Sequence, residues 1–354
     1  LIRPATPTQL AEALATAAAS QQPITLGGSF SKLAPPAVGV TISTSALNRI
    51  LQYEPRDLTI SVEAGTPFAE ITRVLAEHRQ MIPLDPPFAE QATIGGVLAL
   101  DQCGPRRRLY GSARDMTIGM TFATLEGKLV QTGGMVVKNV AGLDMSKLLI
   151  GSRGTLAAMA SINFRVHPIP PASRTFVRHF AKMPEAMEAC SAALKSVLQP
   201  AAIDLLKSAK GYQVLIQAGG NREVLERYAR DLPGAGMLEG EAEEALWTDI
   251  REMTARFVRS HPGGAVVRIA CKLMDAGKIC ESLPTPSIAR AGSGIVYGYF
   301  EDPAEAARVP GAVFEYGQGP AAGVGGADFE IMKKIKHLFD PRGLLNRGML
   351  HGRI

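Results

Sequence analysis

The chain has 354 residues, 46% hydrophobic and 20% charged, the make-up of an ordinary folded protein and enough length for two or three domains. Its net charge of +5 is modest for that length. The one tight basic cluster, Arg106-Arg107-Arg108, lacks interleaved aromatics, so a nucleic-acid partner is not expected. The four cysteines, Cys103, Cys190, Cys271 and Cys280, form no C-x-x-C pair, which argues against zinc or iron–sulfur ligation and for a reducing compartment. No signal-peptide pattern and no long apolar run is present, so a cytoplasmic location without a direct membrane span is expected.

Pro7 to Ala19 reads as an amphipathic helix with Leu10 and Leu14 on one face and Thr8 as N-cap. Pro23 to Leu26 reads as a short strand running into Gly27-Gly28-Ser29-Phe30-Ser31-Lys32. Two glycines, two hydroxyls and a lysine after a strand have the composition of a phosphate cradle, and equally that of a plain turn. The segment matches neither the Walker pattern nor G-x-G-x-x-G. Gly39 to Thr44 and Leu58 to Ala64 are β-branched, alternating strands. Phe68 to Arg79 is helical in spacing, with Thr66 as expected N-cap and Pro67 at the first position. Pro83 to Pro87 is a rigid break.

Beyond it, Ala92 to Ala99 (ATIGGVLA) reads as a turn with paired glycines leading into a short apolar segment, and Gly104 to Gly111 as a basic loop. Met116 to Ala123 and Lys128 to Thr132 are strands joined at Glu126-Gly127. Gly133 to Thr155 then carries Gly133, Gly134, Gly142, Gly151 and Gly154, with Lys138, Asn139, Asp144, Lys147 and Arg153 among them. A helix interior would lose roughly 1 kcal/mol at each glycine. The economical reading is backbone held against a phosphate-bearing cofactor. Asp144 to Ile150 gives two helical turns stopped at Gly151, and Leu156 to Val166 a closing strand.

His167 to Pro171 is a second break, after which the composition changes. Strands are expected at Phe176–Phe180, Val214–Ala218, Ala265–Lys272 and Gly294–Phe300. Helices are expected at Pro184–Leu198, Arg222–Asp231 and Glu241–Arg259, the last carrying the only tryptophan, Trp247. This alternation suggests a separate α+β domain. Gly317 to Gly326 has linker composition, and a final helix, Asp328 to Phe339, leads into DPRGLLN.

The GGSFSK turn, ATIGG after the proline break, AGLDMSKLLIGSRGTLA and the tail FDPRGLLNRGML, in this order, resemble the vanillyl-alcohol oxidase / p-cresol methylhydroxylase-type FAD-binding family. Within it, KNVAGLDMSKLLIGSRGTLA, GPRRRLYGSARD and ALWTDIREMTARF are similar to the E-type subunits of bacterial glycolate oxidases. The resemblance implies an α+β fold: a two-subdomain FAD-binding domain at 1–84 and 85–171, a cap domain at 172–325, and a segment at 326–354 returning to the FAD domain. It implies that Gly27, Gly28, Ser29, Phe30, Ser31 and Lys32 hold the pyrophosphate. Thr93, Ile94, Gly95 and Gly96 would line pyrophosphate and flavin. Gly104, Tyr110, Gly111, Arg114 and Asp115 would approach the cofactor, Gly151, Gly154 and Thr155 would continue the wall, and the Ile162 backbone would lie near adenine. Converging N–H donors and small residues are what two phosphates require.

Three departures stand out. Relatives with covalent flavin carry histidine in the first loop, where Ser29 and Phe30 stand here, so FAD is expected to be non-covalent. Many relatives carry Glu where this chain has Arg153, and Asn346-Arg347-Gly348-Met349 replaces the frequent Asn-Pro-Gly-Lys. His78, His167, His179, His261, His337 and His351 are scattered, so no metal site is expected, and no general base is assigned. The resemblance implies an FAD subunit of a multi-subunit 2-hydroxy-acid dehydrogenase, oxidising glycolate to glyoxylate, with a flavoprotein sister subunit and an iron–sulfur subunit as partners and peripheral attachment at the inner membrane through them. Two alternatives stay open: a stand-alone FAD oxidoreductase in which Arg106 to Arg108 or Arg268 binds a carboxylate, and a non-catalytic scaffold subunit.

Overall fold

The computed structural model describes residues 1–32, 38–135, 143–317 and 327–350. Contacts divide the chain into two compact units. The first comprises Leu1–Cys103, Ser112–Ile169 and Val324–Ile354; the second comprises Gly104–Gly111 and Pro170–Gly323. The stretch 104–111, expected beside the FAD subdomains, therefore clusters with the second unit.

In the first unit, the helix Pro7–Ala19 buries Leu10 and Leu14 against a small parallel pair of strands, Ile24–Gly27 and Val40–Ser43. Its N-cap is Thr6, whose hydroxyl accepts from Gln9 N at 3.2 Å, and not the expected Thr8. The reason is Pro7: lacking an N–H, it belongs at the first helical position, so the cap is the residue before it. Isolated parallel bridges place Ile2 beside Ile42 and Leu345 beside Ile24, so the pair is flanked on both edges.

The rest of this unit is an antiparallel five-stranded sheet in the order Ile50–Glu54, Thr59–Glu63, Ala158–Arg165, Thr117–Ala123, Leu129–Gly133. All five residues of Thr59–Glu63 are buried. The helix Phe68–Ala76 starts from Pro67, and Thr66, expected as its cap, is buried and reaches Arg49 O instead. It stops short of Arg79 because that residue turns the chain at φ +53°. The edge strand Ile50–Glu54 was not anticipated; its mostly open faces carry little apolar signal.

The second unit is built on one antiparallel eight-stranded sheet. Its order is Gly236–Leu238, Ala172–Phe180, Gly211–Gly220, Ala202–Ser208, Ser287–Arg290, Ile295–Phe300, Ala265–Ala270, Ala312–Tyr316. Taken along the chain, residues 172–238 run strand, helix, strand, strand, helix, strand, and residues 265–316 repeat that run. Each half is a β-α-β-β-α-β motif. The halves meet where Leu205, Leu206 and Lys207 pair with Ala289, Ile288 and Ser287. Helices Met183–Lys195 and Ala276–Ser282 cover one face with Met183, Ala186, Cys190, Ala276 and Cys280 over Ile203, Leu205, Val267 and Ile269.

The expected long helix from Glu241 is two helices, Gly240–Arg251 and Met253–Ser260, broken at Glu252. Strands Ala202–Ser208 and Ser287–Arg290 were not anticipated; both faces of each are buried, and each carries a buried charge, Asp204 or Arg290, on the face opposite the apolar core residues. These two charges pair with each other inside the sheet, which offsets part of the cost of burying either charge.

Candidate functional site

The first unit contains a cavity of about 200 Å³ against the glycine turn. One wall is Thr25 to Lys32. A second is Ala92, Thr93, Gly96, Ala99 and Leu100; Arg153, Asn346, Arg347 and Met349 complete it.

Two positions of the turn have no room for a side chain. A Cβ on Gly28 would stand 2.0 Å from Thr93 Oγ1. Phe30, at φ +55°, lays its ring so that a Cβ on Gly27 would stand 2.4 Å from it. Ser29 Oγ donates to Gln91 O at 2.5 Å, and Ser43 Oγ to Gly28 O at 2.7 Å, so the turn is tied on both sides. The Lys32 ammonium donates to Gln102 Oε1.

The paired-glycine segment is helical, and not the turn expected from its glycines: Ile94–Ala99 forms a helix capped by Thr93, whose hydroxyl accepts from Gly96 N at 3.3 Å. Gly95 N donates to Ala64 O at 2.7 Å, so the glycine lets this helix sit directly on the strand end of the five-stranded sheet. Thr93 thus both caps the helix and lines the cavity. Thr93→Ala is expected to cost about 1 kcal/mol of stability, read as a shift in the urea midpoint of the full chain.

Asn346 was not among the expected site residues, yet it joins the walls. Its Oδ1 accepts from Leu26 N at 2.7 Å, and its Nδ2 donates to Leu26 O at 3.0 Å and Arg153 O at 2.8 Å. Its backbone N donates to Ile24 O at 2.8 Å. Upstream, the Lys336 ammonium donates to Asp340 Oδ2, Thr155 O and Leu345 O at 2.7, 2.7 and 2.8 Å. Burial alone would raise the Asp340 carboxyl; the Lys336 ammonium and the amides of Leu344 and Leu345 outweigh it and hold it below its ordinary range. Burial draws the Lys336 ammonium below the ordinary lysine range, against the pull of Asp340.

Of the residues expected at the site, Gly27, Gly28, Ser29, Phe30, Ser31, Lys32, Thr93 and Gly96 line this one cavity. Ile94 is buried and Gly95 packs behind the wall on Ala64. Gly154 sits at φ +69° with Asn346 Nδ2 2.7 Å from where a Cβ would be. Thr155 is fully buried and donates to Ser152 O, and Ile162 lies in the sheet opposite Val62 and Met120. Arg114 reaches Ile150 O at 3.1 Å, and Asp115 closes a capping box with Ser112. Gly151 stands beside Asp101 and Arg114. Gly104, Tyr110 and Gly111 belong to the second unit, on and around the short helix Arg107–Tyr110. There Arg108 is partly buried, donates to Pro200 O at 3.1 Å and packs on Gly292. Lys138, Asn139 and Gly142 lie outside the described residues, as does most of the expected linker, 318–326.

Thr25, Leu26, Ala92, Ala99, Leu100, Arg153, Arg347 and Met349 complete the lining without having been expected. Arg153, between Gly151 and Gly154 at φ +53°, had a sequence signal in the glycines around it. Asn346 had only its place in the LLN tail, and its partners are 320 and 193 residues away.

The cavity fits a diphosphate-bearing cofactor. Gly27 and Gly28, which have no room for a Cβ, let the backbone come close to a ligand, and Lys32, Arg153 and Arg347 line the space with no carboxylate among the described lining residues. Comparison with known proteins agrees. Residues 1–133 match a model described as an FAD binding domain, and residues 322–350 one described as the FAD linked oxidases, C-terminal domain. The chain is 32% identical over 357 residues to glycolate oxidase subunit GlcE of Escherichia coli (strain K12), covering 98% of this chain and 97% of that one. It is 27% identical over 210 residues to glycolate oxidase subunit GlcD of Bacillus subtilis (strain 168), covering 58% of this chain and 45% of that one. Among solved structures, 4-ethylphenol oxidase from Gulosibacter chungangensis superposes with a TM-score of 0.73 at 13% identity, over 100% of this chain and 88% of that one. The last likeness speaks for the fold alone. The chain belongs to the FAD-linked oxidases of the p-cresol methylhydroxylase type and is an FAD-binding oxidoreductase subunit of the group that contains GlcE.

Proposed function

We propose that this chain is the FAD-holding subunit of a multi-subunit 2-hydroxy-acid dehydrogenase that oxidises glycolate to glyoxylate. The observation that carries this reading is the nearly full-length likeness to a glycolate oxidase subunit, joined to a cavity against the glycine turn that is lined by Lys32, Arg153 and Arg347. FAD, when bound, supplies a two-electron acceptor. The chain's own part is to hold it non-covalently. Gly27 to Lys32 would hold its diphosphate, with Lys32 adding charge, and Thr93 and Gly96 would form the opposite wall. The described lining residues supply binding and orientation. A flavoprotein sister subunit and an iron–sulfur subunit carry electrons onward, and any seat at the inner membrane comes through them. Among the described residues no helix is long and apolar enough to cross a membrane.

The test is purification of the native complex, with flavin counted per subunit and glycolate-dependent flavin reduction measured with and without this chain. One FAD on this chain and loss of glycolate-dependent electron transfer without it are expected. An isolated, folded chain that takes up no FAD would support the scaffold reading instead. Glycolate bleaching of the isolated chain's flavin would support a stand-alone oxidoreductase.

A further inference from the structure

Two residues outside the expected set, Arg153 and Arg347, line the same cavity as Lys32. Three cations around about 200 Å³, with no carboxylate among the described lining residues, suit an anionic ligand. The two arginines are carried by separate segments, and Asn346 binds those segments together through Arg153 O and both backbone groups of Leu26. Arg153 Nη1 also donates to Met349 O at 3.4 Å. We propose that the segment Asp340 to Met349 is a cation-bearing latch for the adenosine-diphosphate half of the cofactor: Asn346 fixes the latch against Leu26, and Arg153 and Arg347 then bind the diphosphate together with Lys32.

This rests on the reading of the cavity as the FAD site and adds its consequence. Specificity lies in the diphosphate, so ADP alone competes for the cavity and riboflavin, which has no phosphate, does not. Binding of either FAD or ADP also holds the latch closed. Arg342 and Arg347 are trypsin sites within it, and Arg347 is exposed, so closure is readable as protection.

The experiment uses the full chain stripped of flavin. FAD affinity is measured by fluorescence quenching at low and high ionic strength, with ADP and with riboflavin as competitors. Trypsin cleavage between 342 and 348 is followed with each ligand. The wild type is expected to bind FAD, to lose affinity as salt rises, to release FAD to ADP and not to riboflavin, and to be protected from trypsin by FAD and by ADP. The double variant R153A/R347A is expected to bind both nucleotides about tenfold more weakly, with R347K recovering part of the loss. Wild-type-like nucleotide affinity in the double variant, or FAD binding without protection of the latch, overturns the proposal while leaving the FAD reading intact. A folded wild-type chain that binds no FAD overturns both.

Discussion

Lys336→Met is expected to destabilise the FAD-binding unit by about 3–5 kcal/mol. The Lys336 side chain is 11% exposed and its partner Asp340 is 1% exposed, so neither charge can turn to water when the other is lost. Methionine has similar length and fills the space, but it leaves the Asp340 carboxylate buried with only backbone donors. It also strips the carbonyls of Thr155 and Leu345 of their donor. Urea unfolding of the full chain checks this. Lys336→Met with Asp340→Asn is expected to recover part of the loss, because no lone charge is then buried. The same pair sets an acid limit. Asp340's carboxyl is held below its ordinary value of about 4, so its contribution is complete above that pH and is lost as pH falls through the lowered folded value. The C-terminal segment should therefore detach only below about pH 4. Acid-protease cleavage in 340–350 as a function of pH tests it.

Gly28→Val is expected to weaken FAD binding about 100-fold or more, roughly 3 kcal/mol. Even one carbon at this position meets Thr93 Oγ1 at 2.0 Å, and Thr93 is buried and engaged as the cap of Ile94–Ala99. To admit valine, either the Gly27–Lys32 turn must swing into the cavity or Thr93 must give up its bond to Gly96. The first fills the space intended for phosphate; the second frays the opposite wall. Flavin content of the purified variant is the direct measure. Stability should fall less than binding, because the displaced atoms border a cavity and not a packed core.

How much of this was legible in advance depended on distance along the chain. The turn at Gly27 to Lys32 was readable because the constraint is local: glycines, hydroxyls and a cation in six residues. Arg222–Asp231 was readable to its exact limits because Asn221 caps it and its apolar residues keep helical spacing. The helix at Ile94 was misread as a turn, since Gly95 and Gly96 speak against helix locally; packing on Ala64 overrides propensity there. Edge strands such as Ile50–Glu54 and Ala312–Tyr316 were missed because half-open faces blur alternation. Asp204 and Arg290 were invisible as a pair, being 86 residues apart. Asn346 and Arg153 belong to the same class. Nothing near either residue announces that they meet, and only the folded chain brings together Leu26, Arg153 and Asn346.

That separation has a consequence for how the protein is made. The edge of the strand Ile24–Gly27 is covered by Leu344 to Asn346, residues that leave the ribosome some 320 positions later. At about 5–20 residues per second, the nascent chain carries an open strand edge and an unfinished cradle for roughly 15–60 s. The second unit, interposed in sequence, completes its last strand, Ala312–Tyr316, shortly before then. Flavin capture is thus a late event of biosynthesis, and chains stalled before residue 346 are the ones expected to aggregate or be degraded without ever taking up cofactor.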